Sequence, residues 1–151
     1  MEKSITDAPN PCSRCGRYIN RPTVVDGIIL NDREEVLLIK RGNNPYKGSY
    51  AIPGGFIDWD ETAKEAVKRE VKEETNLNVN IKEFLNYYDS IKRDEKRRTI
   101  SLVFICEITG DVRKPEAGDD AADYKWFKLD ILPELAFDHE KILNDFIKQR
   151  S

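Results

Sequence analysis

Two glutamates stand on the apolar side of a helix in this chain. The segment Thr62–Thr75 has the periodicity of an amphipathic helix. Advancing about 100° per residue gathers Ala63, Ala66, Val67 and Val71 into one stripe. Glu70 and Glu74 fall inside that stripe, whereas Lys64, Lys68 and Lys72 fall on the far side. A carboxylate on a buried face must meet a countercharge or take up a proton, because an unpaired charge is costly away from water. Any fold this chain adopts must therefore provide for that pair. A divalent cation is the natural partner, since hard cations choose carboxylate oxygens.

The rest of the sequence supplies strands around this helix. Thr23–Leu30 and Val36–Lys40 are β-rich runs separated by Asn31-Asp32-Arg33-Glu34, which predicts a hairpin. A short extended segment is expected around Tyr50–Ile52. Val79–Tyr88 and Thr99–Ile108 predict two long strands. They are joined by the basic run Lys92–Arg98, either a solvated hairpin tip or a phosphate-steering loop. Trp126-Phe127 predicts a short core strand, and Phe137–Gln149 a terminal amphipathic helix with Ile142, Leu143, Phe146 and Ile147 inward. Asp58 or Asp60 could serve near the start of the Glu70 helix, and Asn76 suits its left-handed end. These elements predict an α/β (α+β) fold, a mixed β-sheet sandwiched between helices. At 151 residues the chain suits one such domain, 23–151, after a leader, 1–22.

The net charge of −3 gives no electrostatic case for nucleic acid. No apolar run approaches the ~20 residues that span a bilayer, and the first ten residues lack a signal-like apolar core. A cytoplasmic protein with reduced cysteines is expected. Cys12-Ser13-Arg14-Cys15-Gly16 looks like half of a zinc ribbon. A structural zinc takes four ligands, no second pair follows, and Cys106 falls in a predicted strand. Zinc at Cys12 and Cys15 is therefore not expected, and a reduced remnant knuckle is the plain reading. Sharing ligands across a dimer is the arrangement by which zinc would be held.

The spacing around the helix is more specific than its periodicity. Gly55 is followed after five residues by Glu61, and after seven more by Arg69-Glu70-Val71-Lys72-Glu73-Glu74-Thr75-Asn76-Leu77. This resembles the Nudix box, Gly-x5-Glu-x7-Arg-Glu-U-x-Glu-Glu-x-Gly-U, where U is bulky and apolar. One position departs: Asn76 stands where the family has glycine, and Asn tolerates the same left-handed backbone. The lead-in Tyr46–Phe56 also resembles Nudix proteins. Gly118-Asp119-Asp120-Ala121 and Leu135-Ala136-Phe137-Asp138-His139 resemble ADP-ribose pyrophosphatase-like members.

The resemblance implies a Mg²⁺-dependent pyrophosphohydrolase, with Mn²⁺ possible in place of Mg²⁺. The implied substrate is ADP-ribose, cleaved to AMP and ribose 5-phosphate by a homodimer. Asp89–Arg93 lacks the proline that ADP-ribose-specific members tend to carry, which keeps two alternatives open. One is a (d)NTP pyrophosphatase for nucleotide-pool cleansing; the other is a non-catalytic nucleotide-sugar sensor. The implied metal ligands are Gly54, Glu70, Glu73 and Glu74. Glu73, Arg69, Glu61, Glu116 and Asp120 are the catalytic candidates, the last two on a loop that carries a further carboxylate in some members. Arg41, Tyr46 and Gly55 are the substrate-binding candidates, with Tyr87 and Tyr88 as further pocket walls. Trp59 could stack on a base. His139, the only histidine, reads as a capping or packing residue.

Overall fold

The last five residues of the strand Thr23–Ile29 (β1) are buried, and a strand covered on both faces belongs at the centre of a layered fold. The computed structural model, which describes residues 9–110 and 123–151, has that arrangement. β1 is followed by β2 (Glu35–Lys40), β3 (Tyr50–Ala51), β4 (Gly54–Phe56), α1 (Ala63–Thr75), β5 (Val79–Tyr88), β6 (Ile100–Ile108), β7 (Asp123–Lys128) and α2 (His139–Arg150). Four strands form a mixed sheet in the order β4-β1-β6-β5, in which only the β1–β6 pair is parallel. A second, antiparallel sheet has the order β3-β2-β7.

Alternation along the strands divides the core into two layers. Val25 and Ile29 of β1 join Phe104 and Cys106 of β6 against Ala66, Val67 and Val71 of α1. Ile28 joins Val103 and Ile105 on the opposite side, against Ile142, Leu143 and Phe146 of α2. The helix–sheet–helix layering expected from sequence is thus present. Gly27 lets α1 approach β1 closely: a Cβ there would sit 3.0 Å from Val67 Cγ2. Among the described residues no helix is long and apolar enough to cross a membrane.

Several local expectations are corrected. β1 and β2 do not form a hairpin ladder. They meet at one antiparallel bridge, Leu30 to Val36, and then diverge into different sheets. The cap of α1 is neither Asp58 nor Asp60. Thr62 accepts from the Glu65 N–H while Glu65 accepts from the Thr62 N–H, a reciprocal capping box. Asn76 ends the helix at φ 62°, as expected. α2 begins at His139, and Phe137 lies outside it at φ 52°.

The basic run is not a plain solvated tip. Its 3-10 turn, Ile91–Asp94, buries Arg93 and Asp94. Arg93 donates to Asp138 at 3.0 Å and to Thr99 Oγ1 at 2.5 Å. An arginine is tolerated inside when its donors are matched in this way. Glu116 and Asp120, with the rest of the predicted acidic loop up to residue 122, lie outside the described residues.

Candidate active site

The capping box and Asn76 fix both ends of α1, and the packing of Ala66, Val67 and Val71 fixes its rotation. Glu70 and Glu74 are thereby held under β4, on the edge facing its Gly54-Gly55 start. Glu74 Oε1 accepts from the Gly54 N–H at 3.3 Å, and Glu74 Oε2 is buried with no hydrogen-bond partner. At both glycines an added Cβ would collide, with this pair at Gly55 and with β1 at Gly54. A Cβ on Gly55 would lie 2.5 Å from Glu70 Cδ and Oε1, and one on Gly54 would strike the Val25 carbonyl oxygen. The two glycines serve close approach here, since neither has a positive φ.

Arg69 locks the carboxylates around it. Its Nε and Nη2 donate to Glu61 at 2.9 and 2.6 Å, a bidentate pair. Nη1 donates to Glu70 Oε1 at 2.8 Å and reaches Glu73 at 3.3 Å; Nη2 also donates to the Phe56 carbonyl at 3.0 Å. The hydrogen bonds from Arg69 hold Glu61 down to about 2, so Glu61 stays a carboxylate. Burial pushes Glu70 and Glu74 the other way, Glu70 upward and Glu74 up to about 9, where the adjacent Glu70 adds repulsion. Glu61 is therefore a brace for Arg69; Glu70 shares that guanidinium with Glu61 and Glu73, and Glu74 has no ion-pair partner among the described residues. Glu73 stands half exposed at the rim.

Two adjoining cavities open beside this edge. One, of about 200 Å³, is lined by Glu70, Glu73, Glu74, Gly54, Arg41 and Asn43. The other, about 90 Å³, shares Arg41 and Gly54 with it and adds Phe56, Arg93, Arg97 and Phe137. Arg41 stacks over the Phe137 ring at 5.0 Å while its Nε donates to the Pro45 carbonyl. Tyr46 packs edge-on to Phe137 at 4.8 Å. Glu61, Arg69, Glu70, Glu73, Glu74, Gly54, Gly55, Arg41 and Tyr46 are thus brought to one face. A larger groove of about 670 Å³, near Asn31 and Arg150, contains none of these residues.

Among the other candidates, Tyr87, Tyr88 and Trp59 line neither cavity, whereas His139 borders the smaller one. Tyr88 is buried, and its hydroxyl donates to Asp145 at 2.9 Å, which takes it out of the pocket walls. Tyr87 is exposed on β5 and lines neither cavity, and Trp59 is fully exposed. His139 is a packing residue: its Nδ1 accepts from the Ile52 N–H at 3.0 Å, and burial pushes its pKa down to about 3. Sequence reasoning missed Phe137, Phe56 and Arg97 as cavity walls. The basic run contained a signal for Arg97, whereas Phe137 was absorbed into the predicted helix. Among the described residues no three acidic, histidine or cysteine side chains already converge as a metal cage. The unmatched Glu74 oxygen, beside a second carboxyl and under the glycine start of β4, nevertheless fits a hard cation.

The NUDIX domain family matches residues 20–146, and the chain belongs to that family as a Nudix hydrolase. It is 48% identical over 134 residues to an ADP-ribose pyrophosphatase of Methanocaldococcus jannaschii, covering 89% of this chain and 78% of that one. Its fold resembles the NUDIX domain of Shewanella oneidensis NrtR complexed with ADP ribose, at TM-score 0.76 and 26% identity, covering 89% of this chain and 91% of that one. It also resembles a bifunctional NMN adenylyltransferase/ADP ribose pyrophosphatase from Francisella tularensis complexed with AMP and a manganese ion. There the TM-score is 0.72 and the identity 29%, and the match covers 89% of this chain but only 43% of that one.

Proposed function

We propose that this chain hydrolyses the pyrophosphate bond of ADP-ribose to AMP and ribose 5-phosphate, with Mg²⁺ or Mn²⁺ as cofactor. The observation that carries the reading is the Glu70–Glu74 pair, two adjacent carboxyls with only the shared Arg69 beside Glu70 and a buried Glu74 oxygen unmatched. A cation bound there would supply charge neutralisation on the pyrophosphate and a more acidic water. Glu70, Glu74, the rim carboxylate Glu73 and the Gly54 carbonyl are the residues that would hold it. Arg69 positions Glu70 and Glu73 through its hydrogen bonds, and Glu61 positions Arg69. Arg41 stands between the two cavities, where a phosphate spanning them would meet its guanidinium. Gly55 stays a substrate-binding candidate through its backbone alone, since Glu70 fills its Cβ side, and Tyr46 with Phe137 offers apolar ring surface for the remainder of the ligand.

The name of the relative at 48% identity favours ADP-ribose over a nucleoside triphosphate. Glu116 and Asp120 remain our candidates for the base that activates water. The same reading makes the protein a cytoplasmic homodimer acting on a small nucleotide, without nucleic-acid or membrane partners. A product assay over ADP-ribose, NADH, nucleotide sugars, dinucleoside polyphosphates and (d)NTPs with Mg²⁺ tests it. AMP with ribose 5-phosphate as the fastest-formed products supports the proposal; pyrophosphate released faster from a (d)NTP overturns it.

A further inference from the structure

The two cysteines before β1 lie outside everything used above, yet the fold builds them into a knuckle. The Cys12 N–H donates to the Arg17 carbonyl at 2.7 Å, and the Gly16 N–H donates back to the Cys12 carbonyl at 2.8 Å. Gly16 closes this loop at φ +73°, a conformation that favours glycine directly after the second cysteine. The backbone N–H groups of Arg14 and then Cys15 face the Cys12 sulfur and hold its thiol below the ordinary value. Asn10 bridges the base of the loop, accepting from the Ile19 N–H and donating to its carbonyl. Arg21 ties the segment to the body of the fold through the carbonyls of Arg98, Asp89 and Thr99. Two thiols are thus presented outward on an anchored turn, with Cys15 exposed.

The chain cannot complete a soft-metal site from its described residues. Cys106 is buried in β6, and His139 is buried and engaged with Ile52. A closed tetrahedral zinc site takes four ligands. From this half-complement of an anchored thiol pair, we propose that Cys12 and Cys15 bind Zn²⁺ jointly with the same two cysteines of a second copy of the chain. Two further features fit a second copy. Zinc held by four thiolates carries net negative charge, and Arg14 and Arg17 flank the loop in each copy. Tyr18 and Ile19, 67% and 39% exposed, present apolar surface beside the knuckle for the partner to cover.

The test uses the full chain, reduced, loaded with Zn²⁺ and then desalted. The expected content is about one zinc per two chains, the ratio that four-thiolate ligation sets for two cysteines per chain. Replacing zinc by Co²⁺ should give the near-ultraviolet thiolate charge-transfer intensity of a four-thiolate centre. Cys12→Ser/Cys15→Ser should abolish both signals while leaving the thermal melting cooperative. One zinc per chain, no retained zinc, a two-thiolate cobalt spectrum, or unchanged zinc in the double variant would each overturn the proposal.

Discussion

Gly55→Ala isolates the geometry of the carboxylate pair without touching its charge. The new methyl would lie 2.5 Å from Glu70 Cδ and Oε1 and 2.7 Å from Oε2. Ordinary contact begins near 3.4 Å, so the carboxyl must retreat by about 0.9 Å, the difference between that limit and 2.5 Å. Glu70 is the far end of a flexible side chain, and Gly55 has no positive φ, so the fold should tolerate the change. Overpacking costs about 1–3 kcal/mol, and the reduced freedom of the unfolded chain returns about 0.4–1 kcal/mol. A net loss of about 1 kcal/mol is expected, visible as a shift of a few degrees in Tm.

Activity should suffer far more. A displacement of about 1 Å at a reacting centre costs on the order of 100-fold, equivalent to about 2.7 kcal/mol in the barrier. The retreat also breaks the 2.8 Å bond from Arg69 Nη1 to Glu70 Oε1. The assay is the initial rate of ADP-ribose hydrolysis across a Mg²⁺ titration, with melting curves for each variant. Introducing Gly55→Ala into a Glu70→Gln background should cost little more than Glu70→Gln alone, because both act through one carboxylate. A folded Gly55→Ala enzyme within threefold of the unsubstituted protein at every Mg²⁺ concentration would refute the reasoning.

Arg69→Lys keeps the charge but loses the planar fork that serves Glu61, Glu70 and Glu73 together. We expect kcat to fall at least about tenfold while the far-ultraviolet spectrum is retained; steady-state kinetics with circular dichroism check this. Thr62→Ala removes the capping box of α1 and should cost about 1 kcal/mol in urea unfolding. His139 is buried neutral, its pKa pushed from 6.5 down to about 3, so the unfolded chain takes up a proton there before the native one does. Its contribution to stability should therefore fall as pH drops below 6.5, by up to about 1.4 kcal/mol per pH unit. Asp26, pushed up to about 6 by burial, has the opposite sign between 3.8 and 6, so total stability is a poor readout. Asp26 lies 3.8 Å from the His139 ring, so the comparison is made with Asp26 replaced: the difference between Asp26→Asn and Asp26→Asn/His139→Asn should shrink between pH 7 and pH 4.5. Parallel stability curves would contradict the burial assigned to His139.

The parts of this molecule that were legible in the sequence are those fixed by local chemistry. Residues at fixed spacing on one rigid helix keep their relations in any fold that contains the helix. Arg69, Glu70 and Glu74 therefore converge as their spacing implied, and Glu61, just before the Thr62 cap, joins them through Arg69. The left-handed end at Asn76 was readable for the same reason. What was misread depended on partners far along the chain. β1 and β2 are separated by a good turn, but each finds a better neighbour elsewhere, β6 for one and β7 for the other. Arg93 is charged and lies in a basic run, so locally it reads as solvated. It turns inward because Asp138, 45 residues later, supplies its counterion. Phe137 continued the apolar pattern of α2, yet it leaves the helix to stack under Arg41.

The central claim is that Glu70 and Glu74 are together a cation site serving pyrophosphate hydrolysis. Glu74→Gln tests it most directly, since it preserves size and removes the carboxylate whose buried Oε2 has no hydrogen-bond partner. The measurement is Mg²⁺-dependent release of AMP from ADP-ribose, alongside Mn²⁺ binding followed by electron paramagnetic resonance. Loss of turnover by at least about 100-fold, with weakened Mn²⁺ binding and an intact melting transition, is the predicted result. A folded Glu74→Gln protein that binds Mn²⁺ and releases AMP as the unsubstituted protein does would contradict it.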